Sequence, residues 1–350
     1  MNFTDNLLQW YNKNRRDLPW RNTTDPYIIW LSEIILQQTR VDQGMPYFYR
    51  FAEAYPTVTA FAAATEDEIL KLWQGLGYYS RGRNMLKTAR IVQEKFNGNF
   101  PHRYDDLIAL KGIGEYTAAA ISSFAANQAK AVVDGNVSRV IARYLGISEP
   151  INSTAGKKLF QQLANELLNQ QLPAMHNQAM MEFGALQCRP KNPDCGICPV
   201  KAGCYAYQNN QVNQLPVKLK TVKIKNRYFN YFLISSNDEV LLNKRGDNDI
   251  WANMYDLPMI ETNELWSPEQ LFSSPDIVSL FGIIPQIIEI YPVQKHILTH
   301  QHIHARFYHI CLEQNKFKLK STFFFAEVKN LNSFALPKII FLFLNKFFKF

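Results

Sequence analysis

Apolar positions recur close to the helical spacing in several stretches of the first part of the chain, such as Ile28–Gln38, Glu66–Gln74 and Leu159–Leu168. This period predicts amphipathic helices. Turn signals separate them: Tyr55-Pro56, Asn97-Gly98-Asn99, Lys111-Gly112, Glu149-Pro150 and Leu172-Pro173. Residues 1–208 therefore read as one helical region. Residues 209–227 are polar, contain Pro216, and carry Lys218, Lys220, Lys223 and Lys225, which predicts an exposed basic linker. Beyond it the texture changes. Tyr228–Ile234, Glu239–Asn243 and His302–Leu312 are rich in aromatic and branched residues and predict strands of a smaller α+β domain over 228–350. The apolar run Ile339–Leu344, bracketed by Lys338, Asn345, Lys346 and Lys349, predicts a closing helix. No internal repeat or low-complexity tract interrupts this order.

A length of 350 residues favours more than one domain, and 47% hydrophobic residues leave no need for disorder. The net charge is 38 − 30 = +8. Residues 1–225 hold 26 Lys/Arg against 18 Asp/Glu, whereas residues 226–350 hold 12 of each. The whole surplus sits in the first two thirds of the chain, helical region and linker together, which points to a polyanion such as nucleic acid, with a merely basic surface as the alternative. Residues 1–20 carry Asp5, Lys13, Arg15, Arg16 and Asp17, with no secretory apolar core between them. No run reaches the ~20 apolar residues that span a bilayer. The expected location is the cytosol, where thiols stay reduced and clustered cysteines act as ligands.

Cys188, Cys195, Cys198 and Cys204 form a C-x6-C-x2-C-x5-C pattern. Four such thiols hold zinc or an iron–sulfur cluster. Structural zinc favours two short pairs, and only Cys195 and Cys198 make one, so the spacing leans toward [4Fe-4S]. Cys311 lies far away in a strand-like run and is expected to be a small core residue.

Leu110-Lys111-Gly112-Ile113-Gly114 leads into Tyr116–Phe124. Two glycines around one apolar residue permit a tight turn with exposed N–H groups at a helix start, able to grip a phosphate. An ordinary helix–helix turn is the alternative. Asp134 follows Ala131-Val132-Val133 and precedes Gly135-Asn136. It reads either as a helix N-cap or as an acid in a partly dry cleft, placed to stabilise a developing cation. Glu33 lies within the apolar stretch Ile28–Leu36, near Trp30. It is either an exposed residue of an amphipathic helix or a carboxyl whose pKa burial raises, which suits a proton donor.

Together, Leu110–Ala118, Val133–Val140 and the cysteine pattern resemble the helix–hairpin–helix glycosylase superfamily with a [4Fe-4S] cluster. Within it, Leu18-Pro19-Trp20-Arg21, Glu33–Thr39 and Gln74–Arg81 are similar to MutY-type adenine DNA glycosylases. The resemblance implies a mainly α two-lobed N-terminal fold. A six-helix lobe would take about 20–125, and an iron–sulfur lobe about 1–19 plus 126–208. A MutT-like (Nudix-like) lesion-recognition domain would follow. It implies that Glu33 protonates adenine, that Asp134 stabilises the sugar cation, and that Tyr116 and Asn136 flank them. Trp20, Arg21, Leu36 and Gln178 would line the adenine pocket, and Gln38 and Tyr78 would probe the stack. Gly112 and Gly114 would belong to the hairpin's phosphate grip. The four cysteines would hold the cluster. The implied partner is double-stranded DNA with an adenine:8-oxoguanine or adenine:guanine mispair, bound by a monomer with no membrane involvement. Endonuclease III relatives carry a lysine nucleophile after the hairpin. Tyr116 stands at that place here, which implies base removal without strand cleavage.

The C-terminal part departs from a MutT-like hydrolase. The glutamate-rich helix such enzymes need for magnesium has no equivalent between Asn248 and Leu280. The family's Phe-Ser-His lesion loop appears as Leu298-Thr299-His300, with Thr299 and His300 as the candidate readers. Alternating His300, His302 and His304 could also share a strand face and take a metal. Two other functions remain open to the sequence. One is a non-catalytic damage-binding protein, against which both acids stand. The other is a nucleotide pyrophosphohydrolase, against which the missing acidic helix stands.

Overall fold

The computed structural model describes residues 2–219, 224–312 and 321–350. Lys220 and Lys223 of the expected linker lie outside the described residues. The chain divides into two compact units. One comprises Met1–Ala64 and Asn84–Lys220; the other comprises Thr65–Arg83 and Thr221–Phe350. The helical N-terminal fold and the sheet-containing C-terminal domain expected from the sequence are both present.

The helices run α1 Phe3–Asn14, α2 Pro26–Ile35, α3 Val41–Ala54, α4 Val58–Ala63, α5 Glu66–Leu72 and α6 Ser80–Phe96. They continue with α7 Tyr104–Ile108, α8 Glu115–Ala126, α9 Gly135–Leu145, α10 Thr154–Leu167, α11 Pro173–Leu186 and α12 Tyr205–Gln208. Local chemistry sets the starts of those that position the site. Asp25 caps α2 by accepting from the Tyr27 N–H, with Pro26 pre-set for the first turn. Asp134 caps α9, and Ser153 caps α10.

Two of the first unit's apolar centres bring its helices together. Trp30, Phe51, Phe61 and Phe100 pack ring to ring, with centroids 4.9–5.9 Å apart along the series. Each fully buried side chain of this size stabilises the fold by about 1.5–3 kcal/mol. The other centre joins Phe3, Leu7 and Tyr11 of α1 to Val137, Val140 and Ile141 of α9, Phe160 of α10 and Phe183 of α11. Helices α9 and α11 touch closely at Gly184, where a Cβ would stand 2.7 Å from that of Asn136.

Most described residues of the expected linker are exposed, Asn209, Asn210, Asn213, Gln214 and Lys218 among them, but a short stretch within it is packed down. Leu215 is buried, its carbonyl accepts from Arg143, and the Val217 carbonyl accepts from the Ile151 N–H. A backbone whose polar groups find protein partners has little reason to stay in solvent.

The second unit holds β1 Lys225–Leu233, β2 Ser235–Ser236, β3 Glu239–Lys244, β4 Tyr255–Asp256, β5 Met259–Thr262, β6 Gln286–Ile290, β7 Gln294–Ile297, β8 Gln301–Cys311 and β9 Phe323–Glu327. Three helices complete it: α13 Pro268–Phe272, α14 Pro275–Phe281 and α15 Lys338–Phe348. Among the described residues one sheet runs β5-β1-β8-β6, with β7 also on β8, and the other runs β2-β3-β4, with β9 on β3. Strands β1 and β8 are parallel, and the other pairs are antiparallel. Helices α13 and α14 carry Glu269 and Asp276 as their acids.

Helix α5 and the loop after it belong to this unit through polar contacts. Asp67 accepts from Tyr255 Oη at 2.8 Å and Lys244 Nζ at 3.2 Å, and Glu66 accepts from Asn253 at 2.7 Å. Cys311 was expected in the core. It sits at the end of β8 and is exposed, because the alternation that buries Ile310 turns Cys311 outward. His300 precedes β8, and His304 stacks on Tyr228 and bonds Asn226. No metal-holding group of three His, Cys, Asp or Glu side chains forms among the described residues, there or elsewhere. Nor is any described helix long and apolar enough to cross a membrane.

Candidate active site and cysteine centre

One open cleft in the first unit, with about 2360 Å³ of empty space, gathers most of the residues singled out from the sequence. Trp20, Arg21, Glu33, Leu36, Gln38, Gly114, Tyr116, Asp134, Asn136 and Gln178 all line it. Tyr78, Thr299 and His300 line a separate pocket in the second unit. The cysteines line a third, and Gly112 sits in the turn before α8.

Glu33 lies on α2, which buries nearly every side chain around its circumference, Ile29, Trp30, Leu31, Ile34 and Ile35 among them. The exposed-helix alternative for Glu33 is therefore set aside: the carboxyl is only 9% exposed. Burial pushes it up to about 7, against the pull of a hydrogen bond from Tyr116. Nearby Asp134 pushes it further up, and Arg21 pulls it down. Burial also raises the Tyr116 hydroxyl well above its ordinary range, so Tyr116 stays a proton-bearing donor.

Asp134 is the helix cap, and it also lines the cleft. Its Oδ1 accepts from the N–H groups of Asn136 at 2.8 Å and Val137 at 2.7 Å, which makes it the cap of α9. Its Oδ2 accepts from the Asn136 side chain at 2.8 Å and faces the cleft wall. Burial raises its pKa, and the bonds from Val137 and Asn136 pull the other way. Behind it, the Asn136 side-chain Oδ1 accepts from Arg139, which also donates to the backbone carbonyls of Gly184 and Cys188.

The turn before α8 separates its two glycines. Gly112 has φ +82°, and a Cβ there would lie 2.9 Å from that of Asn84. Gly114 has an extended backbone at the helix cap, and a Cβ would meet nothing within 4 Å. Internal packing therefore explains Gly112, whereas the space beside Gly114 is open.

Trp20 packs edge-on against Phe48 at 5.1 Å, and Gln178 accepts from Tyr11 at 2.6 Å. Arg21 donates to Glu182 at 2.8 Å. Glu182 escaped the sequence reading, although its signal matched that of Glu33, a lone acid among apolar helix residues. Burial would raise it, but the guanidiniums of Arg16 and Arg21 hold it at about 2.

In the second unit Tyr78, at φ +48°, donates its hydroxyl to Thr299 at 2.5 Å. His300 lines the same pocket. The four cysteines line a small cavity of about 30 Å³ together with Val140, Phe183, Val200 and Arg143. Arg143 donates to Cys188 Sγ at 3.4 Å and to the carbonyls of Arg189 and Pro190.

Residues 31–170 match the model of the HhH-GPD superfamily of base excision DNA repair proteins, and residues 230–346 match a NUDIX domain. The adenine DNA glycosylase of Buchnera aphidicola subsp. Baizongia pistaciae (strain Bp) is 38% identical over 273 residues, covering 76% of this chain and 76% of its own. The chain belongs to the adenine DNA glycosylase family. It is a DNA N-glycosylase that removes adenine in base excision repair. The Mus musculus adenine DNA glycosylase is 42% identical over 222 residues, 61% of this chain and 43% of the mouse protein. A solved thermostable thymine-DNA glycosylase superposes with a TM-score of 0.55 at 31% identity, over 59% of this chain and 95% of that one. For this glycosylase, the match places the cleft with Glu33 and Asp134 in the repair-enzyme part and the Thr299 pocket partly in the Nudix part.

Proposed function

We propose that this glycosylase hydrolyses the bond between adenine and its sugar in adenine:8-oxoguanine and adenine:guanine pairs, leaving an abasic site. The observation that carries this reading is the pairing of two unlike acids in one cleft, Glu33 held near neutrality and Asp134 anchored by three hydrogen bonds. Adenine leaves poorly until protonated, and the departing sugar becomes oxocarbenium-like, so the reaction calls for one acid and one charge stabiliser. Glu33 supplies the proton. Tyr116 fixes the orientation of its carboxyl. Asp134 faces the cation and, with Asn136, steers water to it. The base enters the cleft only after flipping from the stack, since its reactive atoms are otherwise covered. Trp20, Leu36, Arg21 and Gln178 then enclose it.

Among the described residues no lysine lines the cleft. An amine nucleophile is thus missing where a lyase would use one, which supports a monofunctional enzyme. The open face at Gly114 and the N–H groups opening α8 suit a backbone phosphate. Tyr78 and Gln38 probe the stack. Thr299 and His300 offer the polar groups needed to tell 8-oxoguanine from guanine, whose differences are one carbonyl and one N–H.

Cys188, Cys195, Cys198 and Cys204 fit a [4Fe-4S] cluster. All four line one small cavity, and Arg143 sets a positive charge beside an anionic group. The cluster would tie the segment carrying Arg189, Lys191 and Lys201 into a fixed basic loop.

The deciding experiment incubates purified protein with an adenine:8-oxoguanine duplex. Free adenine and an abasic site cleaved only by alkali or heat are expected, with little borohydride-trapped adduct. Binding without adenine release would favour the damage-binding alternative, and trapping on a lysine would refute the monofunctional reading.

A further inference from the structure

Glu182 is a buried acid that the base-removal chemistry above does not use. It lies on α11 and is 1% exposed, yet it lines the same cleft as Glu33 and Asp134. Four donors converge on its carboxylate. Arg16 gives its backbone N–H at 2.9 Å, Nε at 2.8 Å and one terminal nitrogen at 2.7 Å, and Arg21 gives another nitrogen at 2.8 Å. Arg21 is held further by a bond to the Arg16 carbonyl at 3.1 Å and by the Tyr11 ring, 5.9 Å from the guanidinium carbon. A guanidinium carries five N–H donors in a fixed plane, so these bonds leave others to serve a ligand.

Two cations against one carboxylate would be a poor tether if holding the chain together were its whole task. One arginine would satisfy Glu182 fully, and Arg16 alone makes three bonds to it. The Arg21 contact is therefore the informative one. It draws a positive charge to the wall and away from the acid at the centre of the cleft. The groups acting on Glu33 are Tyr116 of α8, Asp134 at the start of α9 and Arg21 itself.

We propose that Glu182 is a positioning residue for base removal: it holds Arg21 as a rigid donor to the ring nitrogens of the flipped adenine and keeps that charge from pairing with Glu33. It rests on the reading of Arg21 as a wall of the adenine pocket and of Glu33 as the acid. Loss of Glu182 releases a guanidinium toward two carboxyls. Glu33 then gives up its proton at lower pH, and the adenine loses a fixed contact.

The test measures single-turnover excision of adenine opposite 8-oxoguanine across pH, using the full chain and the variants Glu182→Gln, Glu182→Asp, Arg21→Gln and Glu182→Gln with Arg21→Gln. Glu182→Gln is expected to slow excision at neutral pH at least tenfold and to move the alkaline fall in rate to lower pH. Affinity for an abasic-site duplex, which presents no base, should be unchanged. Glu182→Asp should return the alkaline fall to its wild-type position. The double variant should be no slower than Arg21→Gln alone, because the two act as a unit. An unmoved alkaline fall in Glu182→Gln, or fully multiplicative losses in the double variant, would overturn the proposal. A wild-type profile with no alkaline fall would instead remove the acid role of Glu33. If Glu182→Gln does not fold, Arg16→Gln, at a side chain 37% exposed, carries the test. It loosens the clamp and should slow excision several-fold with the same shift in pH, and an unchanged profile would count against the proposal.

Discussion

Replacing Glu33 by Gln should destroy base excision while making the protein more stable at neutral and alkaline pH. The carboxyl is carried from an ordinary 4.5 to about 7, with burial as the largest cause. A group whose folded pKa lies above its unfolded value binds its proton more tightly in the native state. Its contribution is fully present below about 4.5 and is lost as pH rises through about 7. At about 1.36 kcal/mol per pH unit, ionising it inside the fold costs roughly 3 kcal/mol. Gln has nearly the same shape, can still accept from Tyr116, and never ionises. Wild type and variant should therefore differ little near pH 4.5, and the variant should gain up to roughly 3 kcal/mol by pH 8. Catalysis goes the other way. General acid loss is expected to slow excision by about 10²–10⁴-fold. The wild-type rate should fall about tenfold per pH unit once pH is well above 7, as the protonated fraction declines. Denaturant melts of both proteins at pH 5 and pH 8, beside single-turnover excision, check both halves. A stability difference that does not widen between the two pH values would mean that Glu33 is not held protonated by burial, and near-normal excision by the variant would end its role as acid.

Asp134→Asn should still fold, since Asn caps helices nearly as well and only the bond from the Asn136 side chain is lost, yet lose excision by orders of magnitude through loss of the charge facing the sugar. A variant that unfolds, or one that stays active, contradicts this division. Purified protein should be yellow-brown and carry iron and sulfide near four each per chain, and Cys198→Ala should lose folding and DNA binding together. Colourless active protein with one zinc would refute the cluster. Thr299→Ala with His300→Ala should reduce the preference for 8-oxoguanine over guanine opposite adenine by ~1–3 kcal/mol, read as the ratio of excision rates on the two duplexes. An unchanged ratio would move lesion reading elsewhere.

The sequence by itself determined the order of elements and pointed to the candidate residues for the chemistry. Helical period, turn dipeptides and the switch to aromatic strands foretold α2, α10, β1, β3 and β8 to within a few residues. Those features are local, because propensity and periodicity act over one or two turns of chain. The cysteine spacing and the glycine turn were visible for the same reason. The sequence could not say which faces meet. Glu33 read equally as a solvated helix residue until α8 brought Tyr116 against it and closed water out. Asp134 read as cap or cleft acid, and only the tertiary structure showed that a cap can also line the cleft, with one oxygen on the helix start and the other bonded to the Asn136 side chain. The Glu182 clamp joins residues 161 and 166 positions apart, a separation at which no pattern in the chain signals contact. Thr65–Arg83 reads as part of the helical region, yet Asp67 and Glu66 find their partners in Tyr255, Lys244 and Asn253. Burial, pKa and pairing depend on what the fold brings close in space, and that is set by long-range packing, which leaves no local mark on the chain.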